Sequence, residues 1–253
     1  MSKRRRLLTV GHAYAVAMNR RVAHELARVG KDDWEVTCVS PRAYHADLGL
    51  VHFSALPDEP CRTLAVPAYA TRFVHVFAYG RELRTLLDEA WDVVYGWEEP
   101  YVYSGYQLAR WTHRRSVFTF MTLQNIRKRY PPPFSWFEKA SLERADGWLY
   151  CGHSVHHAQR DKPGYSARPS RLGPLGVDTA AFGPDAEAGR RARRALGWSE
   201  DGPPVVGFIG RFVPEKGIRV LMSALDNARG PWRALFIGGG PLADEVRRWA
   251  SEK

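Results

Sequence analysis

Apolar positions along the chain keep two rhythms. Short unbroken runs at 7–10, 35–39, 92–96, 116–120 and 148–150 are rich in β-branched and aromatic residues, the pattern of strands buried on both faces. Between them apolar residues fall three and four apart. Met18, Val22, Leu26 and Val29 make one helical stripe, closed by Gly30, and Leu83, Leu86, Leu87 and Ala90 make another over 81–90. Helices are also predicted over 101–111 and 138–144, the second led in by the rigid Tyr130-Pro131-Pro132-Pro133-Phe134. Ser154 is placed to cap the helix after the strand at 148–150. Strand, glycine-bearing turn, helix and strand follow within about forty residues of the start, which is a βαβ unit. Residues 41–80 are harder to place, because Pro57, Pro60 and Pro67 interrupt any long element. Short strands are expected there near 51–53 and 63–66.

The turn-rich passage Leu172-Gly173-Pro174-Leu175-Gly176-Val177-Asp178 breaks the alternation, and a polar, Arg-rich surface helix is expected over 185–196. After Gly202-Pro203-Pro204 both rhythms resume. A strand at 205–209 leads to the stripe Ile218, Leu221, Met222 and Leu225. A strand at 234–237 leads through Gly238-Gly239-Gly240-Pro241 to a helix bearing Leu242, Val246 and Trp249. The fold class is α/β. A complete N-terminal Rossmann-like domain of about six strands occupies 1–176, and a linker with the first part of a second Rossmann-like domain occupies 177–253. In the strand order 3-2-1-4-5-6 the first strand is central, so the strand at 205–209 is expected to show an unpaired apolar edge. Either a partner segment completes that sheet, or the residues beyond about 198 are poorly stable.

Composition narrows the setting. The 253 residues are 45% hydrophobic and 25% charged, sufficient for one large core or two smaller ones. No apolar run approaches the ~20 residues of a membrane span. The run at 7–10 that follows the basic segment 3–6 is too short for a signal peptide. A cytoplasmic protein is expected, one able to sit peripherally at the inner membrane face. Cys38, Cys61 and Cys151 are far apart and form no CxxC, so neither a disulfide framework nor a metal site is expected. His153 and His157 have the spacing of a metal pair, but the glutamate of H-E-x-x-H is missing, and with His156 they read as a surface helix end. The 37 Lys and Arg against 27 Asp and Glu leave a net charge of +10. Three readings follow, in order of weight: diffuse Arg bias, an anionic membrane surface, and nucleic acid. The last ranks lowest because no binding-module signature accompanies the basic runs.

Candidate chemistry collects at strand ends. Arg211 and Lys216 share a loop with Gly210 and Gly217, between a strand and a helix start. First-turn N–H groups lack intrahelical partners, the helix dipole is positive there, glycine admits close approach, and both cations suit phosphate oxygens. The other reading is a surface turn with two solvated cations. Gly11 lies in the first βα turn, where doubly wound sheets bind ligands. His12 and Asn19 either reach that crevice or serve as local hydrogen-bonding groups. Glu98 and Glu99 end another strand, suited either to acceptor hydroxyls or to the start of the next helix. Adjacent residues point apart, so at most one of them faces a site. Thr122, Gln124 and Asn125 end the strand after it.

The string Gly210-Arg211-Phe212-Val213-Pro214-Glu215-Lys216-Gly217 resembles the signature of the family 4 retaining glycosyltransferases, which have the GT-B fold. The resemblance covers essentially the whole chain, C-terminally truncated relative to a typical member, since the second domain holds two strands of the usual five or six. It implies that Arg211 and Lys216 grip the diphosphate of a nucleotide-sugar donor, and that Gly11 and Gly239 let backbone approach that donor in a cleft between two domains. The nucleotide-sugar is a co-substrate, so no cofactor is expected. The acceptor, whether saccharide, lipid-linked or small molecule, stays open. His12, Glu98, Glu99, Gln124 and Asn125 are candidates for the acceptor side. Family members often carry a histidine or polar residue where this chain has Thr122, Gln124 and Asn125, which leaves no obvious general base. In a retaining transferase the departing diphosphate can take the acceptor's proton. The family's acidic donor motif has no counterpart here, so weak donor binding and slow or absent turnover are expected of this chain. A nucleotide-sugar epimerase is the alternative within the fold. Outside it, the alternative is a non-catalytic fragment that pairs with a partner through its incomplete sheet.

Overall fold

The structure is a computed structural model that describes residues 3–46 and 49–253. Two compact units divide it, residues 1–176 and 177–253. The first unit begins with β1 (Arg5–Val10), α1 (Arg21–Val29) and β2 (Trp34–Pro41). An antiparallel pair follows, β3 (Ala43–Ala46) and β4 (Gly49–His52), then β5 (Arg62–Val66) and a second antiparallel pair, β6 (Ala68–Tyr69) and β7 (Ala78–Tyr79). The remainder alternates: α2 (Arg81–Asp88), β8 (Val93–Gly96), α3 (Tyr103–Trp111), β9 (Val117–Thr122), α4 (Phe134–Arg144), β10 (Gly147–Tyr150), α5 (His153–Gln159) and β11 (Ser170–Leu172).

Seven of these strands form one parallel sheet in the order β11-β10-β9-β8-β1-β2-β5. That is the doubly wound order 3-2-1-4-5-6 with one strand added at the edge. Leu8, Val10, Val94, Phe118 and Phe120 from the sheet pack with Leu83, Leu87 and Leu108 from the helices. Each such side chain, fully buried, contributes ~1.5–3 kcal/mol. The chain reverses its direction of winding between β1 and β8, so the carboxyl ends of those two strands flank the crevice where such sheets take ligands.

Three local expectations change. Residues 12–20 form two 3-10 turns, His12–Ala15 and Ala17–Arg20, before α1 begins. They leave Met18 outside the helix, and within α1 the predicted apolar stripe is not the buried face: Val29 is 87% exposed and Leu26 is exposed, while Ala23, His24 and Ala27 are buried. Small alanines let the helix lie close, and the fully buried Arg20 anchors it by donating to Tyr14 O at 2.8 Å and to Glu59 Oε1 at 2.9 Å. The short strand expected near Val51 is β4, which pairs with β3, and Ser170–Leu172 supplies a seventh strand to the main sheet where about six were expected. Gly152, not Ser154, is the N-cap of α5, and no side chain caps that helix.

The second unit contains α6 (Ala186–Ala195), β12 (Val205–Ile209), α7 (Ile218–Asp226), β13 (Arg233–Ile237) and α8 (Ala243–Ser251). Asp185 caps α6 by accepting from Ala188 N at 2.8 Å, and α6 buries none of its residues. β12 and β13 are parallel, and α7 and α8 cover one face through Phe212, Ile218, Met222, Leu242 and Val246. Among the described residues β12 pairs with no other strand, and Ile209 is 81% exposed. No helix of the described residues is long and apolar enough to cross a membrane.

Candidate active site

At the crevice between β1 and β8 the sequence turns sharply on both sides. Gly11 leaves β1 in an extended conformation, and a Cβ there would lie 2.9 Å from Trp97 Cβ. The glycine is therefore needed for the packing of the two strand ends against each other, whatever it also offers a ligand. Beyond it, His12 and Glu98 meet. The backbone N–H of His12 donates to Glu98 Oε1 at 2.6 Å, and its Nδ1 lies 2.8 Å from Oε2. Tyr79 OH donates to Oε1 at 2.7 Å and Ser104 Oγ to Oε2 at 3.0 Å. Each carboxylate oxygen thus accepts two hydrogen bonds, and the buried Glu98 supports His12 instead of facing a ligand. Nδ1 carries the proton in this arrangement, which leaves Nε2 for a partner. Burial lowers the imidazole pKa, but the adjacent Glu98 charge and hydrogen bond outweigh it, and the net shift is upward from 6.5.

His12 remains 25% exposed at its side chain. It opens on a cavity of about 360 Å³, lined also by Asn19, Tyr44, His45, Val51 and Val74. Tyr44 lies against the imidazole with ring centroids 4.5 Å apart. Asn19 donates Nδ2 to Ala13 O at 2.9 Å, which turns its oxygen into the group left for other partners.

Glu99 points away from Glu98, as adjacent residues do. It accepts from Thr122 Oγ1 and from Leu123 N, both at 2.7 Å, and so ties the ends of β8 and β9. Burial pushes its carboxyl up to about 7 against those two hydrogen bonds, with the Glu98 charge adding to the rise. Gln124 donates to Tyr130 OH at 2.9 Å, and its main-chain oxygen accepts from Gln159 Nε2 at 2.8 Å. Of the acceptor-side candidates His12 lines this cavity, together with Asn19 from the turn that follows it. Glu98 holds His12, Glu99 joins the ends of β8 and β9, Gln124 bonds Tyr130 and Gln159, and Asn125 is exposed.

In the second unit the two loops after β12 and β13 are laced together. Gly210 N donates to Ile237 O at 3.0 Å, Phe212 N to Gly239 O at 2.7 Å, and Leu242 N to Phe212 O at 3.0 Å. A Cβ on Gly238 would sit 1.8 Å from Gly210 O, and one on Gly240 2.8 Å from Phe212 O, each at positive φ. These two glycines make the lacing possible. Gly239 between them faces open space. The 3-10 turn Pro214–Lys216 ends at Gly217, which is left-handed at φ 67° and caps α7 with no side chain. Half-buried Arg211 and exposed Lys216 therefore flank a helix start whose first-turn N–H groups no side chain caps. The first α7 residue, Ile218, is buried, which fixes the turn's height. Among the described residues no cluster of His, Cys, Asp and Glu is arranged to hold a metal.

Sequence reasoning singled out His12 and Glu98 separately and missed Tyr79, Ser104 and Tyr44 altogether. None of those three carries a local signal, since each arrives from a different element of the sheet's carboxyl side.

The sequence profile of Glycosyltransferase Family 4 matches residues 18–181. A GDP-mannose-dependent α-(1-6)-phosphatidylinositol monomannoside mannosyltransferase of Mycolicibacterium smegmatis is 42% identical over 82 residues, which cover 31% of this chain and 21% of that protein. The structure of the Anabaena protein HepE in complex with UDP-glucose superposes with a TM-score of 0.63 at 13% identity, covering 98% of this chain and 65% of that one. A glycosyltransferase from Rickettsia africae superposes with a TM-score of 0.64 at 16% identity, covering 99% of this chain and 64% of that one. The fold is thus the GT-B glycosyltransferase fold, and this chain spans less than two thirds of either structure.

Proposed function

This chain belongs to glycosyltransferase family 4, and we propose that it acts in the transfer of a sugar from a nucleotide-sugar donor to an acceptor hydroxyl, with retention at the anomeric carbon. Arg211 and Lys216 hold the donor's diphosphate. The observation that carries this reading is the laced double loop of the second unit, where two cations stand beside an uncapped helix start and Gly239 is open to approach. Charge-assisted bonds of about 1.5–3 kcal/mol each give the pair roughly 3–6 kcal/mol, which corresponds to millimolar affinity before ordering costs. UDP-glucose binding by HepE and the GDP-mannose dependence in the name of the Mycolicibacterium relative support a nucleoside diphosphate-sugar as donor class.

In the first unit, the His12 cavity takes the acceptor. His12 Nε2 accepts from the acceptor's hydroxyl and orients it. Glu98 fixes the tautomer that makes Nε2 an acceptor. The test is product analysis with radiolabelled UDP- and GDP-sugars over a panel of saccharide and lipid acceptors. A glycosylated acceptor of retained configuration supports the reading. An epimerised free nucleotide-sugar with no transfer contradicts it.

A further inference from the structure

We propose that the rim of the first unit on the carboxyl side of its sheet docks on an anionic lipid bilayer. The rim is built from two loops. Phe73, in the loop between β6 and β7, is 66% exposed, and Val74 and Val76 beside it are exposed as well. Ile126 after β9 is 59% exposed, and Trp136 in the first turn of α4 is 65% exposed. The loops share one surface: the His75 ring lies 5.5 Å from Phe134 and 6.0 Å from Tyr101, and Tyr101 stacks on Tyr130 at 4.0 Å. Large apolar side chains held in water by rigid turns mark a contact surface.

Charge selects the occupant. Neither 60–81 nor 121–137 contains an Asp or Glu, while Arg72, Arg127, Lys128 and Arg129 stand exposed among the apolar groups. The next acid, Glu138, is neutralised by Lys162 at 2.6 Å. Tryptophan with interleaved cations is the composition that settles at the headgroup level of a membrane with negative surface potential. A nucleic acid would use the cations and Trp136 but offers nothing to Ile126, Val74 and Val76. Val74 also lines the His12 cavity, so docking brings lipid headgroups to its mouth. That consequence, a lipid-borne acceptor, rests on the transferase reading; the docking itself does not.

The test is co-sedimentation of the whole chain with vesicles of phosphatidylcholine alone, or mixed with phosphatidylglycerol, with no sugar donor present. Binding is expected to the mixed vesicles only, weakening as salt is raised. Arg127→Gln with Lys128→Gln and Arg129→Gln should lower the partition coefficient roughly a hundredfold. Phe73→Ser with Trp136→Ser should lower it about tenfold or more. Both sets lie on exposed positions, and unchanged thermal melting verifies that they fold. Absence of binding to the mixed vesicles would overturn the proposal. So would equal binding by either set, or a preference for a single-stranded oligonucleotide that the Phe73 and Trp136 changes leave intact.

Discussion

His12 gives both its backbone N–H and its imidazole Nδ1–H to one carboxylate, that of Glu98, at 2.6 and 2.8 Å. The two residues each lie two positions past the end of a central strand, β1 or β8, on either side of the point where the sheet changes its winding direction. The pairing sets both the tautomer and the pKa of the histidine.

The first prediction concerns that pKa. Burial lowers the imidazole pKa, and without the Glu98 charge only the more weakly acting Glu99 charge opposes it. NMR titration should therefore place the His12 pKa above 6.5 in the native chain and lower it in Glu98→Gln. Because the native pKa is raised, the pair stabilises the fold fully below 6.5, and the benefit fades as pH rises through the folded value. An unmoved titration in Glu98→Gln would show that the carboxylate is not the partner that matters.

Glu99 predicts a second pH effect of the same sign. Its carboxyl rises from 4.5 to about 7 in the fold, so stability is greatest below 4.5 and declines as pH rises towards 7. The decline attributable to this group is at most about 3 kcal/mol. Denaturant titrations across that range should show the slope in the native chain and a flatter profile in Glu99→Gln, which keeps the size and one of the two acceptor oxygens.

Three consecutive glycines should behave differently. Gly238→Ala and Gly240→Ala force a Cβ onto backbone at positive φ, and each should destabilise the second unit by about 1–3 kcal/mol or more. Gly239→Ala meets nothing and should melt within about 0.5 kcal/mol of the native chain. Equal losses at all three positions would mean the loops are not laced as described.

Hydrogen exchange reads the open sheet. β1 is paired on both sides, whereas β12 has a neighbour on one side only among the described residues. Amides of 205–209 should exchange faster than those of 5–10 in the isolated chain, and slow when a segment capable of completing the sheet is supplied. Full protection of 205–209 in the isolated chain would remove the case for an incomplete sheet.

Much of this architecture was legible in the residues. Strands buried on both faces announce themselves as apolar runs, and β1, β2, β8 and β9 appear where such runs occur; β12 and β13 also follow apolar runs, although neither strand buries a residue fully. The three-residue β11 has no such run, being an edge strand with two of its three residues exposed. The α1 stripe misled because Met18 lies in a 3-10 turn outside the helix, and the face that Val22, Leu26 and Val29 share within α1 is turned outward while the small residues Ala23 and Ala27 are buried. At the candidate site the residue types were visible one at a time. What was not visible is register, which carries Tyr79, Ser104 and Glu98 to His12 across sequence separations that no local pattern spans. Glycine was read as permission for a ligand at Gly11, whereas packing against Trp97 already requires it.

The measurement closest to the central claim is calorimetric or NMR titration of UDP and GDP into the native chain and into Arg211→Ala with Lys216→Ala. A dissociation constant near millimolar is predicted for the native chain, with a loss of roughly 3–6 kcal/mol, effectively all measurable binding, in the double variant. Unchanged nucleotide affinity in that variant would contradict the assignment of the diphosphate to these two side chains.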